Sequence, residues 1–229
     1  MAEFRVHELE GMRHVEIHLN HEMVRIESGA LSYLTGTIAV HSQLVPSFGG
    51  LVASLFADEA VYRPTCSGTG VITLESSLGG FHVFELHGES WILEKGTFWA
   101  CEGSIDLAFH RERILTALWA GEGLVYLQTR ARGFGKVVVT SRGPIEEMAL
   151  AEGEEFVAEG PYVVGRTADV RFKMRRPTKN FWGRFTSGEH FVRVYTGPGR
   201  VLLNPAPYWR YQLFAKRGKY SDSPSRAMG

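Results

Sequence analysis

The chain has 229 residues, 44% of them hydrophobic and 22% charged, and this composition excludes a disordered polypeptide. Its formal net charge is zero, but residues 1–165 hold 11 Lys and Arg against 22 Asp and Glu, whereas residues 166–229 hold 14 against 3. A split of −11 and +11 indicates either an anion-binding end or oppositely charged faces that attract each other within the fold or between subunits.

The N-terminal residues predict a protein that is not exported. Acidic side chains stand where a signal or transit peptide needs basic residues and an apolar core, so we expect a cytoplasmic location. The two cysteines, Cys66 and Cys101, form no C-x-x-C pair, and in a reducing compartment we expect them to be buried free thiols.

The first predicted strand has one buried face, because Val15, Ile17 and Leu19 alternate with polar residues. Residues 28–57 then carry no Asp, Glu, Lys or Arg, but glycines and Pro46 interrupt them before the roughly 18 apolar residues that a membrane span needs. We therefore expect no membrane span, and we interpret this stretch as buried strand and turn.

Two patterns each occur three times along the chain. The first has an acidic step, an apolar strand, a G-x-G turn and a second apolar strand. Its copies are residues 58–74, 121–139 and 188–203, with the glycine pairs Gly68 and Gly70, Gly133 and Gly135, and Gly197 and Gly199. The second has a glutamate six or seven residues before a glycine, as in Glu22 to Gly29, Glu89 to Gly96 and Glu154 to Gly160.

The repeats predict one all-β domain over residues 1–214, followed by a flexible tail, 215–229. Its six half-modules span about 15–45, 58–80, 81–110, 121–143, 146–173 and 188–204. Each half-module is too small to bury its own apolar face, so three pairs are expected to share one core. We predict an antiparallel β-sandwich or prism of many short strands with a pseudo-threefold arrangement, in which the N-terminal half-module completes the C-terminal one.

Three stretches in this order resemble one protein family. They are V-R-I-E-S-G-A-L at 24–31, G-G-L-V-A-S-L-F-A-D-E at 49–59 and G-E-H-F-V-R-V-Y-T-G-P-G-R-V-L-L at 188–203. They resemble the mitochondrial biogenesis proteins named for altered inheritance of mitochondria, and their bacterial relatives of unknown function. The resemblance implies a fold like the tryptophan RNA-binding attenuation protein, assembly into homo-oligomers and no known catalytic residues. Phe56, Ala57 and Asp58 stand where the family has a basic segment.

Searches for catalytic and metal-binding patterns give no site, and we expect no cofactor. His14 and His18 share one face of the first strand whereas His21 points to the other, so three-ligand geometry would need a bulge. A cupin-like enzyme would need an H-x-H pair, which the sequence lacks. The G-x-G pairs precede strands rather than helices, which favours hairpin turns with positive φ over phosphate loops.

One segment has the composition of a polyanion site. Basic side chains for phosphates alternate there with aromatic rings for stacking on bases. The candidate residues are Lys173, Arg175, Arg176, Lys179, Arg184 and Trp182. Strand alternation predicts that Phe172 and Met174 point inward and the cations outward, which also fits an ordinary solvated surface.

These observations favour a non-enzymatic β scaffold or binding module that self-associates through strand edges or charged faces. Two alternatives remain open. One is binding of RNA, DNA or another polyanion by residues 172–185, and the other is a cupin-like small-molecule enzyme.

Overall fold

The computed structural model describes residues 1–41, 63–77, 79–114, 124–158, 162–175 and 192–205, without the side chains of 111–114 and 124–127. These residues form fourteen β-strands and no helix. The strands are β1 (Glu3–Leu9), β2 (Met12–Ile26), β3 (Leu31–His41), β4 (Thr65–Leu74), β5 (Gly80–Leu93), β6 (Phe98–Glu102), β7 (Ile105–Ile114), β8 (Leu124–Ser141), β9 (Glu146–Leu150), β10 (Glu155–Ala158), β11 (Val163–Thr167), β12 (Arg171–Arg175), β13 (Val192–Thr196) and β14 (Gly199–Leu203). The tail predicted at 215–229 lies outside the described residues.

Two antiparallel sheets contain all of these strands, which confirms the predicted all-β class. Eleven strands form one sheet in the order β3-β4-β2-β6-β8-β5-β11-β14-β9, with β1 on β2 and β7 on β8, and three form a second in the order β10-β13-β12. The expected pairing of the first half-module with the last is wrong for the described strands. β2 and β3 pair with β4, from the half-module that follows them, while β13 and β14 pair with β9 to β12.

Three clusters of buried apolar side chains lie along the chain. The first joins β2 and β4 and includes Val15, Ile17 and Leu19, whose predicted burial is confirmed. The second surrounds Trp91 and Phe98 between β5, β6 and β8. The third joins residues of β9 to β14, including Phe172 and Tyr195. Burial of these alternating faces supplies the main driving force for the sheets.

The G-x-G pairs are not the hairpin turns that the sequence predicts. Gly68 and Gly70 lie inside β4, and Gly133 and Gly135 lie inside β8. The third pair connects β13 to β14, which do not pair with each other. The expectation of positive φ is right at five of these six glycines, with +139° at Gly68 and +133° at Gly133, and wrong at Gly197. A Cβ at Gly68 would collide with the carbonyl oxygen of Thr37 on β3, so these glycines allow close approach of a kinked strand.

The uncharged stretch that begins at residue 28 is also corrected. Its described strand, β3, has mostly exposed side chains, and Tyr33 is 58% exposed. Among the described strands β3 pairs with β4 alone. The absence of charges therefore accompanies an edge strand and not a buried one.

The same backbone details occur at three places. A bulge in the register interrupts β3, β6 and β11 one residue after the strand begins. The shifts lie between Leu31 and Tyr33, Phe98 and Ala100, and Val163 and Gly165. Glu22, Glu89 and Glu154 each accept a hydrogen bond from a backbone N–H two or three residues earlier. The matching positions are those that the sequence patterns align.

Candidate polyanion strand and polar junctions

The described part of the predicted polyanion segment is strand β12. Lys173 and Arg175 are exposed, whereas Phe172 is buried and Met174 half-buried, so the predicted alternation is confirmed. Arg171 is exposed at the preceding outward position, although the sequence analysis did not select it. It extends the row to three cations at alternate positions of one strand.

An acidic neighbour partly balances this row. Arg175 donates from Nη1 to Oε2 of Glu155 at 3.3 Å, and both side chains are about half exposed. An exposed pair of this kind contributes about 0.2–1 kcal/mol and leaves the arginine accessible. The other predicted residues lie outside the described residues: Arg176, Lys179, Arg184 and Trp182. The structure therefore brings together two of the six candidates.

A second basic residue, Arg200 on β14, binds two distant carboxylates. Its guanidinium donates to Glu89 Oε1 at 2.6 Å and to Glu147 Oε1 at 2.9 Å, and lies 5.2 Å from the centroid of the Trp91 ring. The three partners lie on β5 and β9, on either side of β11 and β14 in the sheet order. No local sequence pattern predicts this cluster, because Arg200 and Glu89 are 111 positions apart.

Glu89 is held in its ionised form by this environment. Burial opposes ionisation, but the backbone N–H groups of Glu89 and His87, the Trp91 indole and Arg200 together outweigh burial and lower the pKa of Glu89. The His87 N–H lies 2.7 Å from Oε2. A carboxylate with several donors is a structural anion, since its lone pairs are already engaged.

Arg63, two residues before β4 begins, forms a polar junction between that end of β4 and β8. Its Nε donates to Glu27 Oε2 at 2.8 Å, its Nη2 donates to Thr129 Oγ1 at 3.0 Å, and its guanidinium lies 4.1 Å from the Phe98 ring centroid. The Arg63 side chain is 6% exposed and that of Glu27 33% exposed. The junction therefore holds a nearly buried cation beside a carboxylate that water still reaches.

A related junction surrounds Glu94. Gln128 Nε2 donates to Glu94 Oε1 at 2.9 Å, and Arg193 Nη1 lies 3.5 Å from Glu94 Oε2. Burial, together with the negative charge of Glu94, raises the pKa of the neighbouring Tyr195 phenol. Both junctions join strands from consecutive pairs of half-modules, so their polar groups specify how the pairs meet.

The histidines form a surface cluster. His7, His14 and His18 surround Glu16, with Nε2 atoms 3.1, 3.8 and 3.6 Å from its carboxylate oxygens. His14 and His18 share a face as predicted. No group of three or more His, Cys, Asp or Glu side chains within the described ranges has the arrangement of a metal site.

Both cysteines are buried free thiols, as the sequence predicts. Burial raises the pKa of Cys101 to about 12, against the weaker opposing effects of Arg25 and Arg63. Burial also raises the pKa of Cys66. Because the thiolate is the reactive form, neither group is an activated nucleophile.

Two cavities open on the described surface. One, of about 280 Å³, lies between the turn after β5 and the end of β14 and includes Glu94, Lys95, Arg142 and Asn204 in its lining. The other, of about 440 Å³, includes Glu22, Glu85, Glu102, His87 and Phe134. Glu102 is already bonded there, because it accepts from the backbone N–H groups of Ala2 at 2.9 Å and Lys136 at 2.8 Å.

In the part of the chain that the structure describes, no helix is long and apolar enough to cross a membrane.

Comparison with known proteins identifies the family. An uncharacterised protein of Streptococcus pyogenes serotype M6 is 24% identical over 200 residues, which cover 82% of this chain and 79% of that protein. A crystal structure of a Streptococcus pyogenes protein superimposes with a TM-score of 0.71 at 20% identity, over 95% of this chain and all of that one, and this likeness supports the fold alone. The family described as mitochondrial biogenesis AIM24 matches residues 4–206. The chain therefore belongs to the mitochondrial biogenesis AIM24 family.

Proposed function

We propose that this protein is a non-enzymatic β scaffold that self-associates through an open strand edge. In this proposal three pairs of half-modules form an internally repeated, pseudo-threefold domain like the tryptophan RNA-binding attenuation protein. The three equivalent bulges, the three bonded glutamates and the three apolar clusters support the repeat.

The observation that carries the proposal is the character of β3. It is 11 residues long, contains no Asp, Glu, Lys, Arg or Pro, and has one neighbour among the described strands. Tyr33 and Val40 are large exposed side chains on it. Proteins normally protect an exposed edge with charges, prolines or cover, because free N–H and C=O groups accept another strand. An uncharged edge of this length suits pairing with another chain.

The mass of the protein in solution tests self-association. We expect a multiple of the 25.6 kDa chain mass by light scattering, and dissociation on dilution. Tyr33→Lys adds a charge to the open edge and is expected to reduce association without unfolding the chain, since the side chain is already exposed. Phe134→Lys is the matched control, because Phe134 is also an exposed aromatic residue, at 69%, but lies on the paired strand β8. A monomer at all concentrations would remove the proposal.

A second candidate function is polyanion binding, favoured by the outward row of Arg171, Lys173 and Arg175. The test is fluorescence anisotropy of a single-stranded RNA titrated at several salt concentrations. Replacement of all three by Ala is expected to weaken binding and to reduce the slope of log affinity against log salt by about 2. Replacement of Arg130 and Arg132, exposed on β8, is the control. Equal effects of the two sets, or no binding by the unaltered protein, would exclude this strand as the site.

A further inference from the structure

We propose that strand β10 of one copy pairs antiparallel with strand β3 of a second copy, in a register that two junctions inside the chain already display. The inference rests on the proposed self-association and specifies its interface. Consecutive pairs of half-modules meet through short strand pairings, and we call each such pairing a seam.

Two seams are formed within the chain. The first joins the end of β2 to β6, and the second joins the end of β5 to β11. Each consists of three antiparallel residue pairs: Val24 with Glu102, Arg25 with Cys101 and Ile26 with Ala100 in the first, and Trp91 with Thr167, Ile92 with Arg166 and Leu93 with Gly165 in the second. The two seams have the same length and the same relation to the bulge in β6 or β11.

Single backbone hydrogen bonds flank both seams in the same way. On one side, the N–H of Glu27 donates to the Trp99 carbonyl, and that of Glu94 donates to the Val164 carbonyl. On the other side, Gly103 donates to Met23, and Ala168 donates to Ser90. The residue pairs and flanking hydrogen bonds of the two seams match over five consecutive positions of each strand, so the two seams share one geometry.

Both strands of a third seam are present but are not paired with each other. β10 follows Glu154 as the end of β2 follows Glu22, and β3 carries the same bulge as β6 and β11. Among the described strands, β10 has β13 as its one partner and β3 has β4. By analogy with the first two seams, β10 and β3 are therefore the two strands that would form a third.

The register of the third seam follows from the bulges. Tyr33 is the first residue after the bulge in β3, as Ala100 and Gly165 are in β6 and β11. The transferred pairs are Ala158 with Tyr33, Val157 with Leu34 and Phe156 with Thr35. The N–H of Gly36 would then donate to the Glu155 carbonyl, as Gly103 donates to Met23.

Solvent exposure indicates that the partner is a second copy. Ala100 and Glu102, at the first seam, are buried, whereas their equivalents Tyr33 and Thr35 are exposed, Tyr33 by 58%. If β10 covered β3 in the same chain, these side chains would be shielded as their equivalents are. An edge of each kind on every chain allows a head-to-tail contact, which closes into a ring or a reciprocal dimer.

The decisive experiment mixes two variants, each with one added cysteine and a different affinity tag. Leu34→Cys and Val157→Cys place thiols at directly opposed positions of the proposed seam, where Cβ atoms are about 4.5–5.5 Å apart, and neither side chain is fully buried. A short bis-maleimide is added to the folded mixture, and the product is identified by gel mobility and by both tags. The native Cys66 and Cys101 are buried and do not compete.

A cross-linked product with both tags is the expected result. Val40→Cys with Val157→Cys is the matched control, because Val40 is exposed on the same face of β3 but lies about 20 Å from Leu34 along the strand. This control pair is expected to give no cross-linked product.

The outcomes separate this seam from the proposed function. A third variant carries both Leu34→Cys and Val157→Cys. A cross-link within this chain, with none between the chains of the mixture, would overturn the pairing in trans. An oligomer that gives no cross-link would overturn the proposed seam but leave the proposed self-association standing. A monomer would overturn both proposals.

Discussion

Arg63→Met tests whether the polar junction between β4 and β8 stabilises the fold. The substitution keeps much of the side-chain volume but removes the hydrogen bonds to Glu27 at 2.8 Å and Thr129 at 3.0 Å and the contact with the Phe98 ring. The apolar stem of methionine still fills space beside the ring, so the loss is mainly electrostatic.

The expected cost follows from the burial of the two charges. Removing one partner of a fully buried ion pair costs about 3–5 kcal/mol, because the other charge is left without compensation. Here the Arg63 side chain is 6% exposed but that of Glu27 is 33% exposed, so water solvates part of the orphan carboxylate. We therefore expect a reduction of about 2–3 kcal/mol in the free energy of unfolding.

Urea unfolding followed by tryptophan fluorescence measures this loss. The midpoint is expected to fall at an unchanged slope, since the surface exposed on unfolding is the same. Arg5→Met is the control, because the Arg5 and Glu3 side chains of that ion pair are 50% and 55% exposed and water screens their attraction. Glu27→Gln combined with Arg63→Met is expected to cost less than the sum of the single changes. Equal losses for Arg63→Met and Arg5→Met would refute the assigned role of the junction.

Three further outcomes are expected. Gly68→Ala is expected to lower the free energy of unfolding by about 3 kcal/mol or more, because the added Cβ meets backbone at positive φ. Gly29→Ala, with open space around the added Cβ, is expected to lower it by about 1–2 kcal/mol. Similar losses for the two variants in thermal or urea unfolding would contradict the close approach of β3 to Gly68. Because the pKa of Glu89 is lowered on folding, the stabilisation by its carboxylate is present above the ordinary value of 4.5 and is lost as pH falls through the folded value. The difference in unfolding free energy between the unaltered protein and Glu89→Gln should therefore shrink below about pH 4.5. A difference that stays constant with pH would contradict the role of the ionised Glu89. A thiol-specific reagent at pH 8 is expected to label Cys101 after denaturation and not in the folded protein. Rapid labelling of Cys101 in the folded protein would contradict this expectation.

The sequence predicts the fold class because short-range periodicity reports which side chains face the core. The alternation at Val15, Ile17 and Leu19 was sufficient for one strand, and duplicated patterns predicted equivalent positions that share bulges and bonds. It did not predict the role of Gly68, since positive φ is required equally by a hairpin turn and by a kink inside a long strand. Pairing of half-modules was also misjudged, because a pattern does not state which copy lies beside which.

The functional residues were harder to predict, for physical reasons. Lys173 and Arg175 follow from local alternation, and Arg171 would have followed from the same rule applied two residues earlier. Arg200 did not, because its partners Glu89 and Glu147 are 111 and 53 positions away and are brought near only by the sheet. The uncharged composition of β3 predicts burial, but its side chains are mostly exposed, because a lack of charge does not distinguish a covered strand from a strand with one neighbour.

Strand β8 has a consequence for how the molecule opens. It is 18 residues long and exchanges backbone hydrogen bonds with β5 along one side and with β6 and β7 along the other. No local fluctuation can free its central amides without separating strands from two of the three apolar clusters. Amide hydrogens around Val137 and Val138 should therefore exchange with deuterium only when the whole chain unfolds, and their exchange rates report global stability directly.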